Sequence, residues 1–352
     1  MTFLNQKYQD LTPYTPGEQV NEGEFIKLNT NESPYPPAPS VESAVAEVSQ
    51  SLNRYSDITV EAVAKPLAQH LGVKQEQLFL GNGSDEVLSY IFQGFTEEGI
   101  AFPDVTYGFY QVYSALYKVD STVVPLNNDF TLELKEYDAL DSTVIFANPN
   151  APTGIYLSHA EICAFLERHP DRLVVVDEAY IDFSGASMVT LIEKYQNLFV
   201  VGTFSKSRQL AGARLGFGVG NTDLIADMNR LRFSLNPYNI NSLTQAAGGA
   251  VLQEQEYVDQ KIQETIQVRE WSKQALTKLG FEQTDSQGNF LFAKHPQITG
   301  EKLFKALREK KILVRWFNQP RTKDYLRITV GTQEQMEQLV KVLSTILEEV
   351  EA

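Results

Sequence analysis

A lysine directly after an apolar run is the first residue in this chain whose type and position could do chemistry. Lys206 lies in Thr203-Phe204-Ser205-Lys206-Ser207-Arg208, immediately after residues 198–202, a run that reads as a buried strand. At the C-terminal edge of a parallel sheet, where open α/β folds place their ligands, a lysine amine can be partly desolvated. That favours the neutral form, which attacks carbonyls. Taken alone, the same lysine reads as a solvated surface charge. Eight residues on, Arg214 stands in Gly212-Ala213-Arg214-Leu215-Gly216-Phe217-Gly218. The glycines there permit tight turns and close backbone approach, and an arginine's planar fork could hold a phosphate. Its plain alternative is a surface residue in a glycine-rich hairpin.

A second element is Asp177-Glu178-Ala179-Tyr180, at the end of the apolar run 173–176. A carboxylate ending a wholly apolar strand needs a cationic partner, or burial drives it neutral; a protonated pyridine nitrogen is one such partner. An N-cap, a solvated strand end or a metal ligand are the other readings. The four histidines, His70, His159, His169 and His295, show no zinc spacing and none joins this strand, so no metal is expected. A third element is Gly81-Asn82-Gly83-Ser84-Asp85-Glu86, between a strand-like run at 78–80 and an amphipathic stretch at 86–95. Bare N–H groups at a helix start favour phosphate, although a plain helix cap fits equally, and the carboxylates of Asp85 and Glu86 must then turn away. Glu86 replaces the third glycine of a dinucleotide fingerprint, and no Gly-Lys-Ser/Thr follows for a Walker loop. A fourth element, Asn148-Pro149-Asn150-Ala151-Pro152-Thr153-Gly154, is a turn by composition.

Positioning these residues requires a particular scaffold. Continuous runs such as Val174-Val175-Val176 indicate strands buried on both faces, and their alternation with amphipathic stretches such as 158–169 indicates βαβ units around a parallel sheet. Ser158-x-x-Glu161 reads as a capping box opening the latter stretch. Residues 1–28 suit an extended arm, residues 29–240 a large domain, and residues 241–352 a smaller α+β domain closed by a charged helix. At 352 residues the chain has room for two domains, and 43% hydrophobic with 21% charged residues fits a packed protein. Thirty Lys and Arg against 45 Asp and Glu give a net charge of −15, a field that repels nucleic acid and anionic membrane. A single cysteine, Cys163, excludes an intrachain disulfide and reads as a buried, inert thiol; with no signal-peptide core or membrane-spanning run, a cytoplasmic location is expected.

These pieces, in this order, resemble the fold-type-I pyridoxal-phosphate aminotransferases over nearly the whole chain. The resemblance is closest to the histidinol-phosphate branch, through Leu11-Thr12-Pro13-Tyr14, Leu28-Asn29-Thr30-Asn31-Glu32-Ser33-Pro34, Asn53-Arg54-Tyr55, Thr106-Tyr107-Gly108-Phe109-Tyr110 and Tyr325-Leu326-Arg327-Ile328-Thr329-Val330-Gly331-Thr332. It implies an α/β fold whose large domain holds a mostly parallel seven-stranded sheet flanked by helices. It also implies pyridoxal 5'-phosphate as cofactor, carried by Lys206 through an imine, with Asp177 holding the pyridine nitrogen protonated and Tyr180 hydrogen-bonding the phenolic oxygen. Tyr107 would stack on the ring. The phosphate would rest on Gly83, Ser84, Asp85, Thr203, Ser205 and Arg214, with Tyr55 reaching it from the partner subunit of a homodimer. The family's turn has Asn immediately before Pro-Thr-Gly where this chain has Ala151; Asn150 would supply that cofactor contact from one residue earlier. Arg327 would fork onto a substrate carboxylate and Arg315 onto the distal phosphate of histidinol phosphate or the side chain of glutamate, with Tyr14 and Asn29 completing the wall.

The implied reaction moves an amino group between histidinol phosphate and 2-oxoglutarate, in histidine biosynthesis. An aromatic or broad-range aminotransferase and a decarboxylase of a phosphorylated amino acid share Lys206 and Asp177. Two readings lie outside this class. One is a silent ligand-sensing module on the same fold, which lacks a basic DNA-binding segment here. The other is a nicotinamide-dependent oxidoreductase, which lacks its third glycine.

Overall fold

Runs of β-branched and aromatic residues without polar alternation form strands covered on both faces. In this protein they gather into a seven-stranded sheet. The structure, a computed structural model, describes residues 3–20 and 25–351. In chain order the strands are β1 (Ile26–Leu28), β2 (Leu78–Asn82), β3 (Ile100–Pro103), β4 (Ser121–Val124), β5 (Thr143–Ala147), β6 (Val174–Asp177), β7 (Leu198–Thr203), β8 (Leu215–Val219), β9 (Glu282–Gln283), β10 (Phe290–Lys294), β11 (Ile312–Trp316) and β12 (Leu326–Thr329). The helices are α1 (Pro39–Ser49), α2 (Glu61–Leu71), α3 (Gly83–Gly94), α4 (Phe109–Tyr117), α5 (His159–Arg168), α6 (Thr222–Leu235), α7 (Ser242–Val251), α8 (Gln255–Lys278), α9 (Gly300–Glu309) and α10 (Gln333–Glu351).

The large sheet runs β2-β8-β7-β6-β5-β3-β4. Strand β8 is antiparallel to β2 and β7, and the other pairs are parallel, which is the mostly parallel α/β architecture expected. The period of two sends Val174 and Val176 to one face, with Ile162 and Phe165 of α5, and Val175 to the other, with Val87 and Ile91 of α3. Helix α5 opens on the expected reciprocal cap: Ser158 Oγ accepts the Glu161 N–H, and Glu161 Oε2 accepts the Ser158 N–H at 3.1 Å. Cys163, a residue of this helix, is half-buried rather than buried.

The second sheet has the order β1-β11-β12-β10-β9. Strand β1 pairs in parallel with β11, so the chain just before residue 29 is anchored in the C-terminal sheet. Side chains of α9 and α10, among them Leu303, Leu307, Leu339 and Leu343, cover one face.

Two stretches depart from the sequence reading. Residues 212–218, read as glycine-rich turns, contain the buried strand β8, whose glycines admit their neighbours: a Cβ on Gly218 would meet the Phe199 ring at 2.2 Å. Helix α3 begins at Gly83, three residues earlier than the amphipathic pattern suggests, because its first turn faces a cavity rather than the core.

Candidate active site

The C-terminal ends of β5, β6 and β7 open into a cavity of about 300 Å³, bounded by Ala147, Asp177 and Thr203 at the strand ends and by Ser84, Tyr107, Tyr180, Ser205, Lys206 and Arg214 around them. Lys206 is half-buried; its Nζ donates to the Thr30 carbonyl at 3.4 Å and stands 5.8 Å from the centre of the Tyr180 ring. Asp177, the last residue of β6, accepts two neutral donors, the Tyr110 hydroxyl at 2.8 Å and the Ala179 N–H at 3.2 Å. Burial pushes its carboxyl up to about 6, against the lowering effect of those two hydrogen bonds. A group so placed is held ready for a cation. Next to it, burial pushes Glu178 up to about 8, but this carboxyl points away from the cavity, onto the Ser187 hydroxyl and the Met188 N–H.

One end of the cavity is an anion cup. The N-cap of α3, Asn82, makes no side-chain hydrogen bond to the helix, so the N–H groups of the first turn keep their dipoles for a ligand. The Thr203 and Ser205 hydroxyls are linked at 3.0 Å beside it. The backbone of β8 closes from below, where a Cβ on Gly216 would meet Ser84 N at 2.2 Å. Of the two carboxylates of the first turn, both expected to turn away, Glu86 does so and Asp85 stays in the cavity lining. Glu86 accepts from Asn82 N and Asn239 Nδ2, each at 2.6 Å. Asp85 accepts from Arg214 Nη2 at 2.6 Å and from the Tyr107 hydroxyl at 2.7 Å. Tyr107 is thereby fixed, and burial raises its phenol well above the ordinary value.

Tyr107 and Ala151 also border a second cavity, of about 500 Å³, which holds Tyr14, Arg315 and Arg327. Arg327 donates to the Asn29 carbonyl at 3.1 Å, while its Nε is buried without a partner. Arg315 donates to the carbonyls of Thr15 at 2.6 Å and Pro16 at 2.9 Å, which lays the N-terminal arm across the opening. Among the described residues neither arginine pairs with an acid. Tyr14 stacks on Phe109 at 4.4 Å.

Four expected residues do not line these cavities. Gly83 lies behind the Arg214 guanidinium, whose Nη2 is 2.6 Å from where a Cβ on Gly83 would stand. Asn29 lines neither; its side chain donates to Glu18 O at 2.8 Å, so it holds the arm. Asn150 gives its amide hydrogens to Val105 O at 3.0 Å and Thr153 Oγ1 at 2.9 Å, leaving no donor for the expected cofactor contact, and the methyl of Ala151 forms the wall instead. Tyr55 is 83% exposed, stacked on Tyr238 at 4.5 Å. Residues not anticipated are Tyr110 under Asp177, Asn31 on the Tyr180 hydroxyl at 2.9 Å, and Glu32, which lines the first cavity and pairs with Lys27 at 2.6 Å. An aromatic residue three places after Tyr107, on the first turn of α4, was the one local sign of Tyr110. Among the described residues no cluster of three His, Cys, Asp or Glu could hold a metal ion, and no helix is long and apolar enough to cross a membrane.

The chain matches the family described as aminotransferase class I and II over residues 23–343. It is 42% identical to the histidinol-phosphate aminotransferase of Brachyspira hyodysenteriae over 350 residues, 98% of this chain and 99% of that one. It is 45% identical to the histidinol-phosphate aminotransferase of a Marinomonas species over 350 residues, with 98% and 99% covered. The crystal structure of histidinol-phosphate aminotransferase from Sinorhizobium meliloti in complex with pyridoxal-5'-phosphate shares the fold, with a TM-score of 0.86 at 22% identity over 98% of this chain and 99% of that one.

Proposed function

This chain belongs to the class I and II aminotransferases, and from that premise we propose that it transfers an amino group reversibly between histidinol phosphate and 2-oxoglutarate. Enzymes of the family work with pyridoxal 5'-phosphate, and the residues present fit that cofactor. The cup at the start of α3, whose first-turn N–H groups have no side-chain cap and which the Thr203 and Ser205 hydroxyls border, suits its phosphate. Buried Asp177, offered only neutral donors, suits its pyridinium nitrogen. Tyr180 and Tyr107 flank the space between. When bound, the cofactor supplies an electron sink for negative charge at the substrate Cα. The chain's own part is to hold and to move protons. Lys206 Nζ anchors the cofactor and, once free, takes the Cα proton; the methyl and aromatic walls keep water out.

The substrate assignment is carried by one observation: among the described residues, two guanidiniums without acid partners face one cavity, which shares Tyr107 and Ala151 with the cavity that Lys206 lines, in a chain of net charge −15. Such a pair is costly unless an anion arrives, and a phosphate or carboxylate arm meets it with bidentate hydrogen bonds. The relatives named for histidinol phosphate support the same reading. We also propose a cytoplasmic homodimer. The exposed apolar surface of Leu52, Tyr55, Phe233, Leu235 and Tyr238 supports a second copy seated there, with Tyr55 delivered to the neighbouring phosphate cup.

Histidinol phosphate, phenylalanine and aspartate, each added to the holoenzyme while the visible absorption of the lysine-bound cofactor is followed, test the proposal. Histidinol phosphate should discharge the band at the lowest concentration, and Lys206→Ala should have no such band. Preferential discharge by phenylalanine would make this an aromatic aminotransferase instead.

A further inference from the structure

Asn31 is 1% exposed and holds a φ of 56°, in the left-handed region where a side chain other than Asn or Asp is strained. Three hydrogen bonds tie it to the five-stranded sheet. Its N–H donates to Thr329 Oγ1 at 2.9 Å, the Thr329 hydroxyl donates to its Oδ1 at 3.1 Å, and its carbonyl accepts from Asn289 Nδ2 at 3.0 Å. With Oδ1 taken by Thr329, the amide nitrogen is left facing the large domain, where it donates to the Tyr180 hydroxyl at 2.9 Å.

That bond decides where the phenol's own hydrogen goes. A hydroxyl oxygen that already accepts an N–H turns its hydrogen away from the donor and becomes a stronger donor itself. Away from Asn31 lies the first cavity, which Tyr180 lines. Ala147, Ala151 and Ala179 present methyl groups to the same cavity, and Asn150, the expected donor, has spent its amide hydrogens elsewhere.

We propose that Asn31 is a positioning residue: its amide turns the Tyr180 O–H into the cavity, where that hydroxyl serves as the side-chain donor to the cofactor's phenolic oxygen. The inference rests on the pyridoxal-phosphate reading above. It also gives the five-stranded sheet a direct hold on the electronics of the reacting centre, through one amide.

The test is a spectrophotometric pH titration of the lysine–cofactor chromophore in holoenzyme, for Asn31→Asp and Asn31→Gly, each with and without Tyr180→Phe. A carboxylate at position 31 can only accept, so it draws the Tyr180 hydrogen onto itself and leaves the phenolic oxygen without its donor. The chromophore of Asn31→Asp should then titrate higher by roughly one pH unit, a tenfold rise in proton affinity. Asn31→Gly keeps the left-handed backbone and removes only the amide; it should move the titration in the same direction and less. In the Tyr180→Phe background the Asn31→Asp displacement should fall below half, leaving only the effect of the added charge. An Asn31→Asp titration that coincides with wild type, or one displaced equally with and without the Tyr180 hydroxyl, overturns the inference. Wild-type protein that takes up pyridoxal phosphate without any visible band overturns the cofactor reading as well.

Discussion

Asp177→Asn should make the cofactor-free protein more stable and the loaded enzyme nearly inactive, both from the same burial. Asp177 is 4% exposed, and its carboxyl is raised from 3.8 to about 6 chiefly by desolvation. Below the ordinary value both folded and unfolded chains hold the proton, and burial costs nothing in ionisation. As pH rises from about 4 to about 6 the unfolded chain ionises while the folded one does not, and above that range the folded chain bears a buried charge. Stability therefore falls across that window, by about 3 kcal/mol for a displacement of roughly two units. Asparagine removes that penalty. It also replaces one acceptor, facing Tyr110 or the Ala179 N–H, by an amino group, at a cost of about 1 kcal/mol. A net gain of about 2 kcal/mol remains at neutral pH, or a few degrees in melting temperature for a chain of this size. Thermal melts of cofactor-stripped protein at pH 7.5 and near pH 4 should show the gain at the first and not at the second. The holoenzyme variant should lose about a hundredfold in turnover, the worth of a charge-assisted hydrogen bond in a dry site. Equal melting temperatures for variant and wild type at pH 7.5, or near-normal turnover, would refute the reasoning.

Arg315→Ala should lower kcat/KM for histidinol phosphate by about a hundredfold while changing that for phenylalanine only severalfold; equal losses on the two would mean that Arg315 serves the arm carbonyls of Thr15 and Pro16 alone. Gly216→Ala places a methyl group 2.2 Å from Ser84 N and should weaken cofactor binding at least tenfold, by fluorescence titration, with a stability loss of about 2 kcal/mol. Undiminished affinity would move the cofactor phosphate away from α3. For Tyr55→Phe, cofactor retention on dilution should fall several-fold with turnover at saturating cofactor within about twofold of wild type. Unchanged retention would remove Tyr55 from the proposed shared site.

The strand that ends in Asp177 was legible because three consecutive valines admit few solutions other than burial on both faces, and the strand before Lys206 because residues 198–202 are an unbroken run without polar residues. The start of α5 was equally plain, since Ser158 and Glu161 stand at the spacing a reciprocal cap needs. Strand β8 was not, because a strand is recognised by the side chains it presents, and here the ring of Phe199 takes the space over Gly218 and the Gly83–Ser84 backbone the space over Gly216. At the turn 148–154 the cavity is lined by Ala151 and not by Asn150: which residue of a turn faces a cavity depends on the turn's path, and composition does not record it. Asn31 had no local signature at all. Its partners lie 149, 258 and 298 residues away, and in the sequence it is one polar residue among several in the stretch 28–34.

The two ends proposed to bind anions are built on different physical terms, and the difference suits what each would hold. At the cup, Arg214 is already matched by Asp85, so the attraction for phosphate falls mainly to helix N–H dipoles and two hydroxyls. These act only at contact and hold a resident group without projecting a field. At the far end, Arg315 and Arg327 have no acid partners among the described residues, and their charge reaches beyond the opening over about a Debye length. In a chain at −15 that local positive potential decides whether an anionic substrate is turned away or drawn in. Capture of histidinol phosphate should consequently slow steeply as salt is added, whereas retention of the cofactor should change little between about 0.05 and 0.5 M salt. Stopped-flow traces of band discharge at several salt concentrations separate the two. A capture rate indifferent to salt would show that the arginines bind only after arrival and do not steer.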